Sequence, residues 1–401
     1  MGLWAGGDRD DPRTLVVVFL RGGADGLALV PPVGDDAYHV ARPTIGIRAR
    51  DAIRLDDRFS LHPQLATMAP LFHDGALGVV HAVGSDDSTR SHFEAQDLME
   101  HGGVTGGGWL GRFLRMRTGG SGGALSAVAF GTELPESLRG APSAALLRSL
   151  DEFVLGHEHD ALVSALDVLY ANHGGMSNGT LNGAAGGALD AALSAAARNT
   201  VAATRRIQQL RGNSARPRRD AAYPEDEFGR GLSEIARLIQ ARVGLSVATI
   251  DLGGWDSHFT QGVLIEPLMS RLAKGLTAFA QDLGPDALST TSVVVMTEFG
   301  RRVAENASFG TDHGRGSVMF LLGAAAQGGT VRARWPGLET GLLDGPGDVP
   351  VTTDYREVLS PVLEWHGAPE GARVFPDWSG AVVKAPDARP AINGPATEQP
   401  A

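Results

Sequence analysis

The chain reads as an α/β protein, with a mainly parallel central sheet and helices on both faces. Three observations predict this. Apolar runs such as Thr14–Leu20 and Ser292–Met296 are valine-rich and do not alternate, as strands buried on both faces do not. Amphipathic stretches at helical spacing lie between such runs, for example Phe228, Leu232, Ile235, Leu238 and Ile239. Glycine-rich polar turns follow the strands, the alternation that builds a parallel sheet.

Taken in order, the first strand, Thr14–Leu20, ends in the turn Arg21-Gly22-Gly23-Ala24-Asp25-Gly26. A second, Leu77–Val83, runs into Gly84–Arg90, and a helix follows from about His92 to Glu100. Gly102–Gly108 breaks it, and Trp109–Arg117 reads as a short helix. Residues 118–224 carry glycine- and alanine-rich stretches and read as a helical insert, closing with an exposed linker at Arg211–Tyr223. Order returns at Glu227, and the strand Leu245–Leu252 follows. Leu268, Leu272, Leu276, Phe279 and Leu283 mark the next helix. The last strands are Val293–Met296 and one near Val318–Leu322. Lys384–Ala401, rich in proline and small polar residues, is expected to be disordered, which leaves 1–383 as one domain. No repeat of solenoid period is present.

Composition narrows the function. The 401 residues are 43% hydrophobic and 20% charged, as in an ordinary soluble domain large enough for a sizeable core. A net charge of −11 argues against a nucleic-acid surface and against anionic lipid. With no cysteine, disulfides, iron–sulfur clusters, thiolate zinc sites and cysteine nucleophiles are excluded. No run is long enough to span a membrane. Met1–Pro12 lacks an apolar signal core, so the chain as it stands is expected in the cytoplasm.

Two glycine-flanked acid/histidine runs carry the chemistry. One is Gly253-Gly254-Trp255-Asp256-Ser257-His258. The other extends from Thr297-Glu298-Phe299-Gly300-Arg301 to Gly310-Thr311-Asp312-His313-Gly314. Both follow predicted strands, and strand C-termini converge on one edge of a parallel sheet, where ligands bind. Asp25, the Ser88–His92 loop, Asp256 with His258, and Glu298 with Asp312 and His313 all fall at such positions. Carboxylate and imidazole donors suit zinc first, then manganese or iron, better than calcium. The candidate metal ligands are therefore Asp25, Asp256, His258, Glu298, Asp312 and His313.

Each residue also has a plainer reading. Asp256 can cap the next segment, with His258 merely polar surface. Glu298 can form an ion pair with Arg301 or Arg302, and Asp25 suits a turn. Ser91-His92-Phe93-Glu94 fits a capping box. In the functional reading, Ser91 or Thr89 is a hydroxyl nucleophile near a helix N-terminus, and Arg90 clamps an anion there. Arg21, His92 and Arg301 are candidate substrate contacts, with His92 also able to reach a metal. His62 and His81 read as packed residues. Gly22–Gly26 is not a P-loop, since the Gly-Lys-Ser/Thr ending is missing.

Several stretches together resemble the family called domain of unknown function 1501. They are Phe19–Leu27, Thr89–Glu100, Gly107–Arg112, Gly253–His258, Thr297–Arg302, Gly310–Gly314 and Thr353–Arg356. That family is grouped with the alkaline phosphatase and sulfatase superfamily. The resemblance implies an alkaline-phosphatase-like sheet with two metals at its C-terminal edge. It implies Asp25 on one metal, Asp256, His258 and His313 on the other, and a nucleophile in Thr89–Ser91. Glu298 would stand where the superfamily often has an Asp-His pair. Phe299 replaces that histidine, and Asp256 and His258 lie closer together than the usual pair. No Cys-x-Pro-x-Arg pattern is present, which excludes a formylglycine sulfatase. Family members often carry a twin-arginine export signal. This start has none, so export would require one that is missing from it.

Two functions follow as expectations. The first is a metal-dependent hydrolase of a small anionic phosphate or sulfate ester. The second is a metal-binding scaffold without turnover that recognises an anionic ligand or a protein partner. A purely structural protein, its acid/histidine runs being turns and caps, is the third and plainest alternative.

Overall fold

The structure is a computed structural model and describes residues 13–118, 123, 125–150, 207–208, 217–326, 328–369 and 373–380. Its centre is a nine-stranded sheet. The strands are β1 (Thr14–Arg21), β4 (Leu77–Gly84), β5 (Ala127–Phe130), β6 (Ala145–Leu147), β7 (Val247–Gly253), β8 (Thr291–Met296), β9 (Ser317–Gly323), β10 (Val331–Arg332) and β11 (Thr353–Asp354). The order is β10-β4-β9-β8-β1-β7-β5-β6, with β11 also on β4. Every neighbouring pair is parallel except those made by β9, which runs antiparallel to β8 and β4. A separate two-stranded ribbon joins β2 (Ile53–Arg54) and β3 (Ser60–Leu61).

Both faces of the sheet are buried, as the unalternating runs require. Val16, Val18 and Leu20 of β1 enter one core, and Leu15, Val17 and Phe19 enter the other. The first core packs against helices at Glu227–Gln240 and Gln261–Leu288, the latter kinked at Gly284. The second packs against helices at Trp109–Met116 and Tyr355–Trp365. In chain order the helices are α1 (Gly26–Leu29), α2 (Asp36–Ala41), α3 (Ala69–His73), α4 (His92–His101), α5 (Trp109–Met116), α6 (Glu227–Gln240), α7 (Gln261–Leu288) and α8 (Tyr355–Trp365).

Two expectations change. Residues 125–150 contain no α-helix, only a 3-10 turn at Glu136–Leu138. Ala127–Phe130 and Ala145–Leu147 lengthen the sheet beyond β7, because short runs of small apolar residues fill its edge. The end of the expected linker is exposed at 217–220 and is also anchored. The Asp282 carboxylate accepts from the Arg218 backbone N–H at 2.8 Å and from the Tyr223 hydroxyl at 3.0 Å. Residues 151–206 and 209–216 of the expected insert and the 384–401 tail lie outside the described residues.

Topology places the site. The loops after β1, β4, β7 and β8 leave the same edge. Because β9 is antiparallel to β8, the loop 297–316 both starts and ends there. His92, at the start of α4, also arrives at this edge. Among the described residues no helix is long and apolar enough to cross a membrane.

Candidate metal centre

The loops at this edge pack backbone on backbone, which accounts for two of their glycines. Gly22 has φ +119°, and a Cβ there would sit 2.6 Å from the Asp256 nitrogen. A Cβ on Gly310 would lie 2.3 Å from the His258 carbonyl. Neither position admits a side chain without moving the loop beside it.

Buried polar residues then lock the loops. The Arg301 guanidinium donates to the carbonyls of Gly22, Gly23, Trp255 and Thr311, and at 2.8 Å to Asp256 Oδ1. The Gln261 amide donates to Asp25 at 2.7 Å, and its oxygen accepts from Ser257 at 3.1 Å and Thr311 at 2.6 Å. Asp25 forms a buried two-pronged pair with Arg42, at 2.6 and 3.1 Å, and caps α1 through the Leu27 N–H.

Within this frame, His92, Asp256 and His313 each offer a ligand atom, all within 4.8 Å of one another. Asp256 Oδ1 lies 3.5 Å from His92 Nε2, 3.4 Å from His313 Nε2 and 3.1 Å from His258 Nε2. Ligand atoms about 2.0–2.1 Å from a zinc ion, at tetrahedral angles, lie roughly 3.3 Å from one another. These spacings suit such an ion.

The far sides of the rings fix their protons. His313 Nδ1 donates to the Arg90 carbonyl at 2.8 Å, and His92 Nδ1 donates to Glu298 Oε1 at 2.8 Å. His258 Nδ1 faces Asp312 Oδ1 at 3.4 Å. A neutral imidazole that donates through Nδ1 presents a lone pair at Nε2, and such oxygen partners commonly orient metal-binding histidines. His92 Nε2 is buried and has no hydrogen-bond partner. His258 and His313 oppose their Nε2 atoms at 2.9 Å. Two lone pairs at that distance repel unless a proton or a cation lies between them.

Electrostatics act unequally on the donors. Burial works to raise the Asp256 pKa, but the hydrogen bond and charge of Arg301 outweigh it and hold the carboxyl at about 2. Burial likewise opposes ionisation of Glu298, and bonds from His92, Gln96 and the Gly22 N–H prevail and lower its pKa. Burial lowers the His313 pKa, whereas the Glu298 hydrogen bond raises that of His92. Asp312 is shifted down, its bonds from Asn306 and His258 exceeding the effect of burial.

The expected residues therefore divide. Asp256 and His313 belong to the cluster, with His258 beside them. Glu298 stands behind His92, fully buried, and Asp312 stands behind His258. Asp25 is committed to Arg42 and Gln261 rather than to the cluster. His92 moves from substrate contact to ligand candidate. Arg301, expected as a substrate contact, is buried and clamps the loops through four carbonyls and Asp256. Arg21 is likewise balanced by Asp251 at 2.5 Å and Glu100 at 3.1 Å. Arg90 holds the His313 carbonyl and Asp348.

The hydroxyl candidates are placed differently from a capping box. Ser91 begins α4 without a side-chain bond to the helix. Glu94 instead accepts from the Thr89 hydroxyl at 2.8 Å. Phe299, where the resemblance lacks an imidazole, lies against His92 and His313, with ring centres 4.8 and 4.9 Å apart.

Sequence reasoning missed Arg42, Gln261 and Gln96. Gln96 had a usable signal: it is one turn after His92, and its amide reaches the same Glu298 oxygen at 2.9 Å. Arg42 and Gln261 carried none, since their partners are remote in sequence.

No curated protein matches the chain. The model of the family described as "Protein of unknown function (DUF1501)" matches residues 12–350, and the chain belongs to that family.

Proposed function

We propose that the protein is a metal-dependent hydrolase of phosphate or sulfate esters, of the alkaline phosphatase and sulfatase kind. His92, Asp256 and His313 would hold a divalent metal, zinc first, with His258 as a further donor. The observation that carries this reading is the buried Nε2 of His92, which has no hydrogen-bond partner and faces Asp256 Oδ1 at 3.5 Å, while its Nδ1 is tied to Glu298. A bound metal would supply charge to polarise the ester oxygen and to activate a hydroxyl or water.

The chain's own residues have definite parts in this reading. Glu298 and the Arg90 carbonyl keep protons on the Nδ1 atoms of His92 and His313. Arg301 keeps Asp256 ionised and oriented. Ser91 is the favoured hydroxyl, because that of Thr89 is engaged by Glu94.

Elemental analysis of the purified protein, with phosphatase and sulfatase assays on p-nitrophenyl esters, tests the reading. Near-stoichiometric metal and turnover that both vanish in Asp256→Ala support it; full activity in that variant would sink it. One observation favours the scaffold alternative: Arg21 and Arg301, two candidate anion contacts, are already neutralised or spent. Metal retention without turnover on any ester would select that alternative.

A further inference from the structure

Among the described residues, ten of the phenylalanines are buried in the cores or, like Phe299, at the floor of the centre. The three exposed ones all lie beside residues of the candidate centre in the sequence. Phe93 is 85% exposed and follows His92, Phe259 is 59% exposed and follows His258, and Phe309 is 54% exposed and lies just before Gly310. Val263, in the first turn of α7, adds a fourth exposed apolar side chain at 77%. Single exposed apolar residues are ordinary; three exposed phenylalanines on three segments, each within a few residues of a residue of the centre, are not.

The backbone here is also constrained. Phe309 has φ +58° and Thr260 has φ 42°, left-handed conformations that are unfavourable for a bulky or branched residue. The Gln261 N–H donates to the Phe309 carbonyl at 2.8 Å, and the Thr260 N–H donates to Ser308 at 2.9 Å. These bonds hold the two segments together, so Phe259 and Phe309 are presented from a fixed pair of loops. Asp256, with 48% of its side chain exposed, opens the polar centre to solvent beside them.

We propose that this rim receives the apolar part of an amphiphilic anionic ester whose head group sits at the metal centre. The proposal rests on the metal-dependent reading of the site. A small hydrophilic ester would leave the three rings in water, whereas an alkyl or aryl group next to the charged head would cover them.

The test is calorimetric titration of the full-length, zinc-supplemented protein with n-alkylphosphonates, from methyl to octyl, below their micellar concentrations. Burying a methylene strengthens binding up to about fourfold. Octylphosphonate is therefore expected to bind at least roughly thirtyfold more tightly than methylphosphonate, allowing for partial burial. In the Phe93→Ser/Phe259→Ser double variant the ratio should fall to about threefold or less, as expected once most methylene burial is lost. Metal content and methylphosphonate affinity should remain unchanged.

Equal affinity for methyl and octyl would overturn the rim assignment while leaving the metal-centre reading intact. So would a chain-length dependence that survives in the double variant. Co-flotation with phosphatidylcholine vesicles alongside a flat chain-length series would identify a membrane-docking surface instead and also overturn it. Failure of every phosphonate to bind zinc-loaded protein would overturn both readings together.

Discussion

His81 and His92 flank the same strand end. His81 lies inside β4, fully buried, stacked on Phe59 at 5.0 Å and edge-on to Trp335 at 4.8 Å. Its Nε2 donates to the Val30 carbonyl at 3.0 Å, and its Nδ1 accepts from the Ala82 N–H at 2.8 Å. Both ring nitrogens are satisfied and the ring is held neutral. His92, beyond the next loop, has one nitrogen on Glu298 and the other without a hydrogen bond, 3.5 Å from Asp256. Burial alone does not separate a structural histidine from a ligand. The pattern of partners does, because buried polar atoms rarely remain unpaired without a reason.

Substitution should break the comparison most visibly. His313→Ala or Asp256→Ala is expected to reduce bound metal from near-stoichiometric to background in elemental analysis. His81→Ala should leave metal content intact in the folded protein but destabilise it by about 2–4 kcal/mol in urea unfolding, through a cavity and two lost partners. Metal loss in His81→Ala with retained fold would remove the distinction.

Gly22→Ala comes next. Its Cβ would meet the Asp256 backbone in a conformation that alanine resists, so a cost of about 2–4 kcal/mol is expected. Circular-dichroism melts give the answer, and an unchanged midpoint would show that the loops tolerate separation.

Acid should act oppositely on the two rings. Burial lowers the His81 pKa from 6.5 to about 4. Between those values the unfolded chain binds the extra proton, so the stability contributed by neutral His81 declines as pH falls from about 6.5 to 4, by roughly 3 kcal/mol. The His92 pKa is raised, chiefly by Glu298. In metal-free protein its contribution is full below the unfolded imidazole value and is lost as pH rises through the folded one. Ring-proton NMR titration should therefore show His92 titrating above, and His81 below, the ordinary imidazole range. The reverse order would contradict the assignment.

The smallest effect tests the residue behind the ligand. Glu298→Gln keeps an oxygen near His92 but removes the charge, and metal affinity should weaken about 10- to 100-fold. Competition with a chelator measures it.

Much of this architecture was legible in the sequence. Apolar runs marked β1, β7 and β8, and the loops after β7 and β8 held Asp256, His258 and His313. The division of labour was not legible. Glu298, expected among the ligands, stands behind His92 instead, because α4 brings that imidazole against the carboxylate two residues past the end of β8. Asp25 is taken by Arg42, a pairing created by α2 folding back over the loop. Arg301 read as a candidate substrate contact, but it is buried and donates to carbonyls of the loops after β1 and β7 and of its own loop. β5 and β6 escaped notice because four- and three-residue strands have too little pattern to stand out from their glycine-rich surroundings.

The central claim is that one cation is held by imidazole Nε2 atoms of His92 and His313 with the Asp256 carboxylate. Zinc K-edge X-ray absorption on protein loaded with one equivalent of zinc tests it directly. The account predicts a first shell near 2.0–2.1 Å, with outer-shell scattering from at least two imidazoles. A shell of oxygen alone, or zinc that passes through gel filtration unbound, would contradict it.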